Sequence, residues 1–87
     1  MDIAQWRDRI DLLDELLLEL LNRRAQCVLE LGKIKKEKGQ LVYSPARETT
    51  ILDRIQNLNK GPLSRESIRA VFERIIAECR DLQERQV

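Results

Sequence analysis

Apolar residues spaced alternately three and four apart run through the amino-terminal part of the chain as Ile3, Trp6, Ile10, Leu13, Leu17 and Leu20, and resume beyond Arg24 as Cys27, Leu31 and Ile34. This spacing predicts one continuous helix from about Ile3 to about Lys38 that presents a single seam. At 1.5 Å per residue the helix is roughly 54 Å long. A compact globule of 87 residues has a radius of gyration of only about 12 Å. The rod therefore overshoots any single-chain globule, and a second long element is needed to cover its seam end to end. A partner chain is the economical supplier.

Arg24 interrupts that seam. Nine of the ten seam positions are apolar, and the tenth carries a guanidinium that cannot be deprotonated and is costly to bury unpaired. It needs an anion, from the protein or from a ligand. Within the protein, Glu48 and Glu30 are the candidate partners, as in a coiled coil with one inward charge.

Beyond the rod, Gly39 and Gln40 break the helical pattern and Ser44-Pro45 restarts it, with the serine as N-cap and the proline at the first helical position, where its missing N–H costs nothing. The second helix carries Ile51, Leu52, Ile55 and Leu58 on one face, and Lys60-Gly61-Pro62 ends it. Ser64 caps a third helix with Ile68, Val71, Phe72, Ile75, Ile76, Cys79 and Leu82 inward. The expected fold is all-α, a long, a short and a medium helix forming one domain over residues 1–87, with no strand signal and no internal repeat.

Composition closes several function classes. Sixteen basic against fifteen acidic residues leave a net charge of +1, which points to neither nucleic acid nor membrane as a partner. No apolar run is long enough to cross a bilayer and no secretory pattern opens the chain, so the cytoplasm is the default compartment. Cys27 and Cys79 lie on apolar helix faces without Cys-x-x-Cys spacing and read as buried free thiols rather than a disulfide or metal site. Histidine is absent, which removes Ser-His and Cys-His nucleophile pairs and imidazole acid-base chemistry.

Other polar residues share inward faces. Glu48 precedes Ile51 and Leu52 by three and four, and Gln83 follows Cys79 by four. Lys35 lies eleven residues after Arg24, about three turns, so the two point the same way from origins roughly 16 Å apart. Arg7 is seventeen residues before Arg24, roughly 25 Å along the same rod, and cannot share a small site with it in one chain. In an antiparallel pairing of two first helices, the partner's Arg7 is carried toward Arg24. Arg7, Arg24, Lys35, Arg47, Glu48 and Gln83 then fit around one cavity for a small dianion. Solvated surface charges and a frayed third helix explain the same residues without a ligand, and the spacing alone leaves both readings open.

The runs Trp6-Arg7-Asp8-Arg9-Ile10-Asp11-Leu12-Leu13-Asp14, Leu20-Leu21-Asn22-Arg23-Arg24, Glu30-Leu31-Gly32-Lys33-Ile34-Lys35 and Val42-Tyr43-Ser44-Pro45-Ala46-Arg47-Glu48 decide more. With Leu58-Asn59-Lys60-Gly61-Pro62-Leu63, Phe72-Glu73-Arg74-Ile75-Ile76 and Gln83, this ordered set resembles the all-helical class of chorismate mutases, most of all the mutase domain at the front of bifunctional mutase and prephenate dehydratase proteins. The resemblance implies an intertwined homodimer with two sites, each completed by an arginine from the other chain's first helix. It would place Arg24 and the partner's Arg7 on the substrate carboxylates, Lys35 and Gln83 at the ether oxygen, Glu48 at the ring hydroxyl with backbone near Ser44, and Arg47 in the positive wall. Ser44 and Cys79 depart from the family pattern: some members have an aspartate and a serine there, so only a backbone contact is carried over to Ser44, and the Cys79 thiol is a poorer donor.

The implied reaction is the Claisen rearrangement of chorismate to prephenate in phenylalanine and tyrosine biosynthesis, which needs no cofactor, metal, nucleophile or proton transfer. An isochorismate-pyruvate lyase of the same fold and a non-catalytic helical dimerisation module are the competing readings.

Overall fold

In the computed structural model residues 1–86 are described, and residue 87, where the domain read from the sequence ends, lies outside them. The helices are α1 (Ile3–Glu37), α2 (Pro45–Leu58) and α3 (Arg65–Gln86), and no strand occurs among the described residues. Each begins on a side-chain cap. At α1 the Asp2 carboxylate accepts the Gln5 N–H at 2.8 Å while the Gln5 amide oxygen accepts the Asp2 N–H at 2.9 Å, a reciprocal box that satisfies two otherwise orphaned donors. Ser44 Oγ accepts the Arg47 N–H at 3.3 Å with Pro45 following, and Ser64 Oγ accepts the Ser67 N–H at 3.0 Å, as the sequence predicts for both.

The ends are set by different chemistry. Past α1 the Gly39 and Gln40 N–H groups return to the Lys36 and Lys35 carbonyls, and Gly39 takes φ 69°, a left-handed conformation that a side chain disfavours. Past α2 the stop is a clasp built on Asn59. Its Nδ2 donates to the Leu63 carbonyl at 2.8 Å and its Oδ1 accepts the Gly61 N–H at 3.0 Å, with Gly61 at φ 81°. The asparagine, one residue ahead of the expected Lys60-Gly61-Pro62 stop, does most of the fastening.

Helix α3 lies in the middle, with α1 and α2 each packed against it. Leu52 of α2 and Ile76 and Cys79 of α3 form a small buried apolar core. The molecule measures 55 × 24 × 16 Å with a radius of gyration of 15.9 Å, well above the roughly 12 Å of a compact chain this long. The excess is α1, whose amino-terminal half projects beyond the other helices.

In keeping with a seam that only a second long element can cover, the α1 stripe is bare within this chain: Ile10, Leu13, Leu17 and Leu20 are 54–59% exposed, and Cys27, Leu31 and Ile34 are exposed as well. The face of α1 that is covered holds Ala25, Val28, Gly32 and Lys35 instead, about a quarter turn round the helix. Arg24, half-buried, stands on the border between the two stripes. Leu58 and Val71, also expected inside, are exposed, because α2 and α3 are too short a pair to wrap both sides of either helix. Of the two thiols only Cys79 is buried.

With so small a core, each buried side chain carries a large share of stability. Ile76→Ala is expected to cost about 3 kcal/mol and Ser64→Ala about 1 kcal/mol, measured as shifts in the urea unfolding midpoint at unchanged slope.

Candidate active site

The carboxyl-terminal half of α1, the first turns of α2 and the carboxyl-terminal half of α3 converge on a cavity of about 130 Å³. Arg24 and Lys35 enter it from α1, three turns apart, with Ser44, Arg47 and Glu48 from the start of α2 and Cys79 and Gln83 from α3. Folding thus brings these sequence candidates to one place. Arg7 is absent from the lining and is exposed on the projecting part of α1.

Arg24, Lys35, Arg47 and Arg80 line the cavity against a single carboxylate, Glu48, a surplus of three positive charges. Arg24 pairs with neither of its expected protein partners. Glu30 accepts from Gln26 and Lys33 at 3.0 and 3.2 Å, and Glu48 is held by Arg80, whose Nη1 donates to both carboxylate oxygens at 2.9 and 3.0 Å. Among the described residues no carboxylate stands within ion-pairing distance of Arg24, Lys35 or Arg47. Such a concentration of like charge in a partly buried place is unfavourable for the isolated fold and favourable for a bound anion. The Glu48 hydrogen bond also raises the Arg80 pKa above its ordinary value, against the opposing cost of desolvation.

Gln83, 6% exposed, is the most deeply buried polar side chain of the site. Its Nε2 donates to the Val28 carbonyl of α1 at 2.8 Å, which fixes the amide plane and leaves the second N–H of that nitrogen free to donate elsewhere. Lys35 Nζ reaches the Val42 carbonyl at 3.3 Å, a single bond that leaves two of its three donors. The Ser44 hydroxyl oxygen accepts the Arg47 N–H in capping α2. Cys79 is buried and a free thiol at the cavity wall.

Three participants are missing from the set that the sequence singles out. Gly32 is buried where α1 meets α3, and a Cβ there would stand 2.8 Å from Gln83 Cγ and 3.0 Å from its Nε2. A glycine in mid-helix, which costs about 1 kcal/mol relative to alanine, is the available signal for such a close approach. Arg80 follows Ile76 by four and precedes Gln83 by three, an inward register on α3 that marks it in the same way. Tyr43 matters through Arg80, whose guanidinium lies 4.8 Å from its ring centre.

The family model for chorismate mutase type II matches residues 6–84. The chain belongs to that family. It is similar to a solved chorismate mutase (Form II) from Thermus thermophilus, with a TM-score of 0.94 and 36% identity over 97% of this chain and 96% of that one. It is also 45% identical to the bifunctional chorismate mutase/prephenate dehydratase of Neisseria gonorrhoeae over 73 residues, covering 84% of this chain and 20% of that protein. The corresponding protein of Pseudomonas aeruginosa is 39% identical over 83 residues, 90% of this chain and 23% of that protein. The chain thus spans about a fifth of the length of these curated relatives.

Because a Cβ at Gly32 would press on the Gln83 side chain, Gly32→Ala is expected to lower the urea unfolding midpoint by the equivalent of about 1–3 kcal/mol, the usual cost of overpacking. Circular dichroism should show undiminished helix content, as alanine is the better helix former.

Proposed function

We infer that the chain rearranges chorismate to prephenate as a homodimer with two composite sites. The observation that carries this reading is the set of three cations, Arg24, Lys35 and Arg47, without protein counter-charges around one cavity in a member of this family. Chorismate is a dianion, and Arg24 and the partner's Arg7 are suited to its two carboxylates, because a planar fork holds a carboxylate in a fixed orientation. Arg47 adds to the positive wall, and Glu48 accepts the ring hydroxyl.

The chemistry asks little else of the protein. One C–O bond breaks as a C–C bond forms, negative charge grows on the ether oxygen, and the substrate must be held in its reactive chair. Lys35 and the free N–H of Gln83 donate to that oxygen. Their hydrogen bonds strengthen as the charge develops, which is the differential binding that accelerates a reaction. Holding the Gln83 amide against Val28 beforehand reduces the reorganisation left for the reactive moment.

Two facts support the second chain. The apolar stripe from Ile3 to Leu20 is exposed along the projecting half of α1, more contiguous apolar surface than a monomer ordinarily leaves in water. The cavity of about 130 Å³ is also smaller than the roughly 300–1,000 Å³ of ordinary ligand clefts, so a further wall is called for. An antiparallel α1 pairing covers the stripe and delivers the partner's Arg7. Cys27, exposed beside the stripe, then lies at or near the interface.

Loss of chorismate, followed by its ultraviolet absorbance, tests the site. Arg24→Ala and Lys35→Ala are each expected to lower kcat/KM at least about a hundredfold, and full activity in both would sink the assignment. Mixing inactive Arg7→Ala with inactive Arg24→Ala chains should restore about a quarter of wild-type activity, because half the dimers then hold one intact site of two. Mixtures that stay dead would rule out a shared site. Since the chain has no histidine and Gln83 donates without titrating, kcat should be nearly flat between about pH 6 and 8.

A further inference from the structure

Among the described residues Glu48 is the one carboxylate in a cavity with four cations, and where it settles decides how many of those cations remain for a ligand. A carboxylate free to turn would neutralise Arg47 or Lys35 and weaken the clamp. It does not do so here. Arg80, one turn beyond Ile76 on α3, binds both its oxygens through one nitrogen at 2.9 and 3.0 Å, with the two side chains 30% and 23% exposed. The guanidinium is steadied in turn by the Tyr43 ring at 4.8 Å, from the segment just before α2. Three pieces of chain are thus joined by one group.

The bond consumes only part of what Glu48 can accept. An ionised carboxylate offers about four lone-pair positions, and Arg80 uses two of them, one on each oxygen. Two remain for a donor inside the cavity.

We propose that Arg80 is a positioning residue of this site: stacked on Tyr43 and bound to both oxygens of Glu48, it holds that carboxylate as an aimed acceptor for the substrate's ring hydroxyl and keeps it off Lys35 and Arg47. The proposal rests on the role given to Glu48 above. Arg80 itself acts through Glu48 and is not required to touch the substrate. It therefore contributes to selectivity for a ligand with a hydroxyl at that point of the ring, by keeping the polar acceptor in place.

A double-mutant cycle on the full chain tests this, with kcat/KM for chorismate as the readout and thermal unfolding as the check on folding. Arg80→Met is expected to lower kcat/KM about tenfold in the wild-type background and less than about twofold in the Glu48→Gln background, the coupling typical of a charged pair in direct contact. Arg80→Lys, which keeps the charge but is shorter and lacks the planar group that stacks on Tyr43, should recover about half of that loss on a logarithmic scale. Equal losses in both backgrounds overturn the proposal, because a purely structural residue or one that binds substrate directly behaves that way. No loss in the wild-type background overturns it too. The two levels are separable: an active wild type in which Glu48→Gln changes nothing refutes the role of Glu48 and Arg80 together, while a wild type that leaves chorismate untouched refutes the proposed function itself.

Discussion

Helix α1 is longer than anything the rest of the chain can cover, and most of the architecture answers to that. Its 35 residues project past α2 and α3, so only its carboxyl-terminal half meets α3. That meeting is close because Gly32 presents no side chain, and the gap is filled by Gln83 rather than by an apolar residue. A polar amide in the tightest contact of a small core is tolerated because the Val28 carbonyl satisfies it. The same contact that fastens α3 to α1 therefore also fixes an amide at the wall of the cavity beside it. Stability and positioning are coupled at one crossing.

The charge arrangement follows a similar economy. Elsewhere, apart from Arg69 with Asp53 between α3 and α2, the ion pairs among the described residues are local, such as Arg23 with Glu19 or Arg74 with Glu78 one turn apart, and contribute little. Around the cavity the pattern reverses, with four cations meeting one carboxylate that is already committed to Arg80. An 87-residue chain with a net charge of +1 has concentrated its positive potential in one place without becoming a basic protein overall. Overall charge is a poor guide to ligand sign for that reason: a small dianion answers to a local field, whereas nucleic acid answers to an extended one.

Helix boundaries are largely legible in the residues. Ser44-Pro45 and Ser64 act through bonds to N–H groups three residues on, and the three-four spacing of α1 is a property of one helix. The Asp2–Gln5 box and the Asn59 clasp are equally local and readable on the same terms. The stripe is harder to interpret. Periodicity tells that Leu13, Leu17 and Leu20 share a face, but not which neighbour covers it, and here no element of the same chain does.

Three helices, their lengths, a rod too long for one globule, and inward-register polar residues on each helix all follow from the order of residues, because they depend on propensity and on spacing within one segment. Packing of one segment on another was needed to place Arg24 on the border between the covered face and the bare stripe, to engage Glu30 and Glu48 elsewhere, and to bring Arg80 and Gly32 into the site. The two bonds that fix Glu48 and Gln83 join residues 32 and 55 positions apart. No periodicity within a helix carries that information, since the angle at which one helix crosses another is set by how their side chains pack.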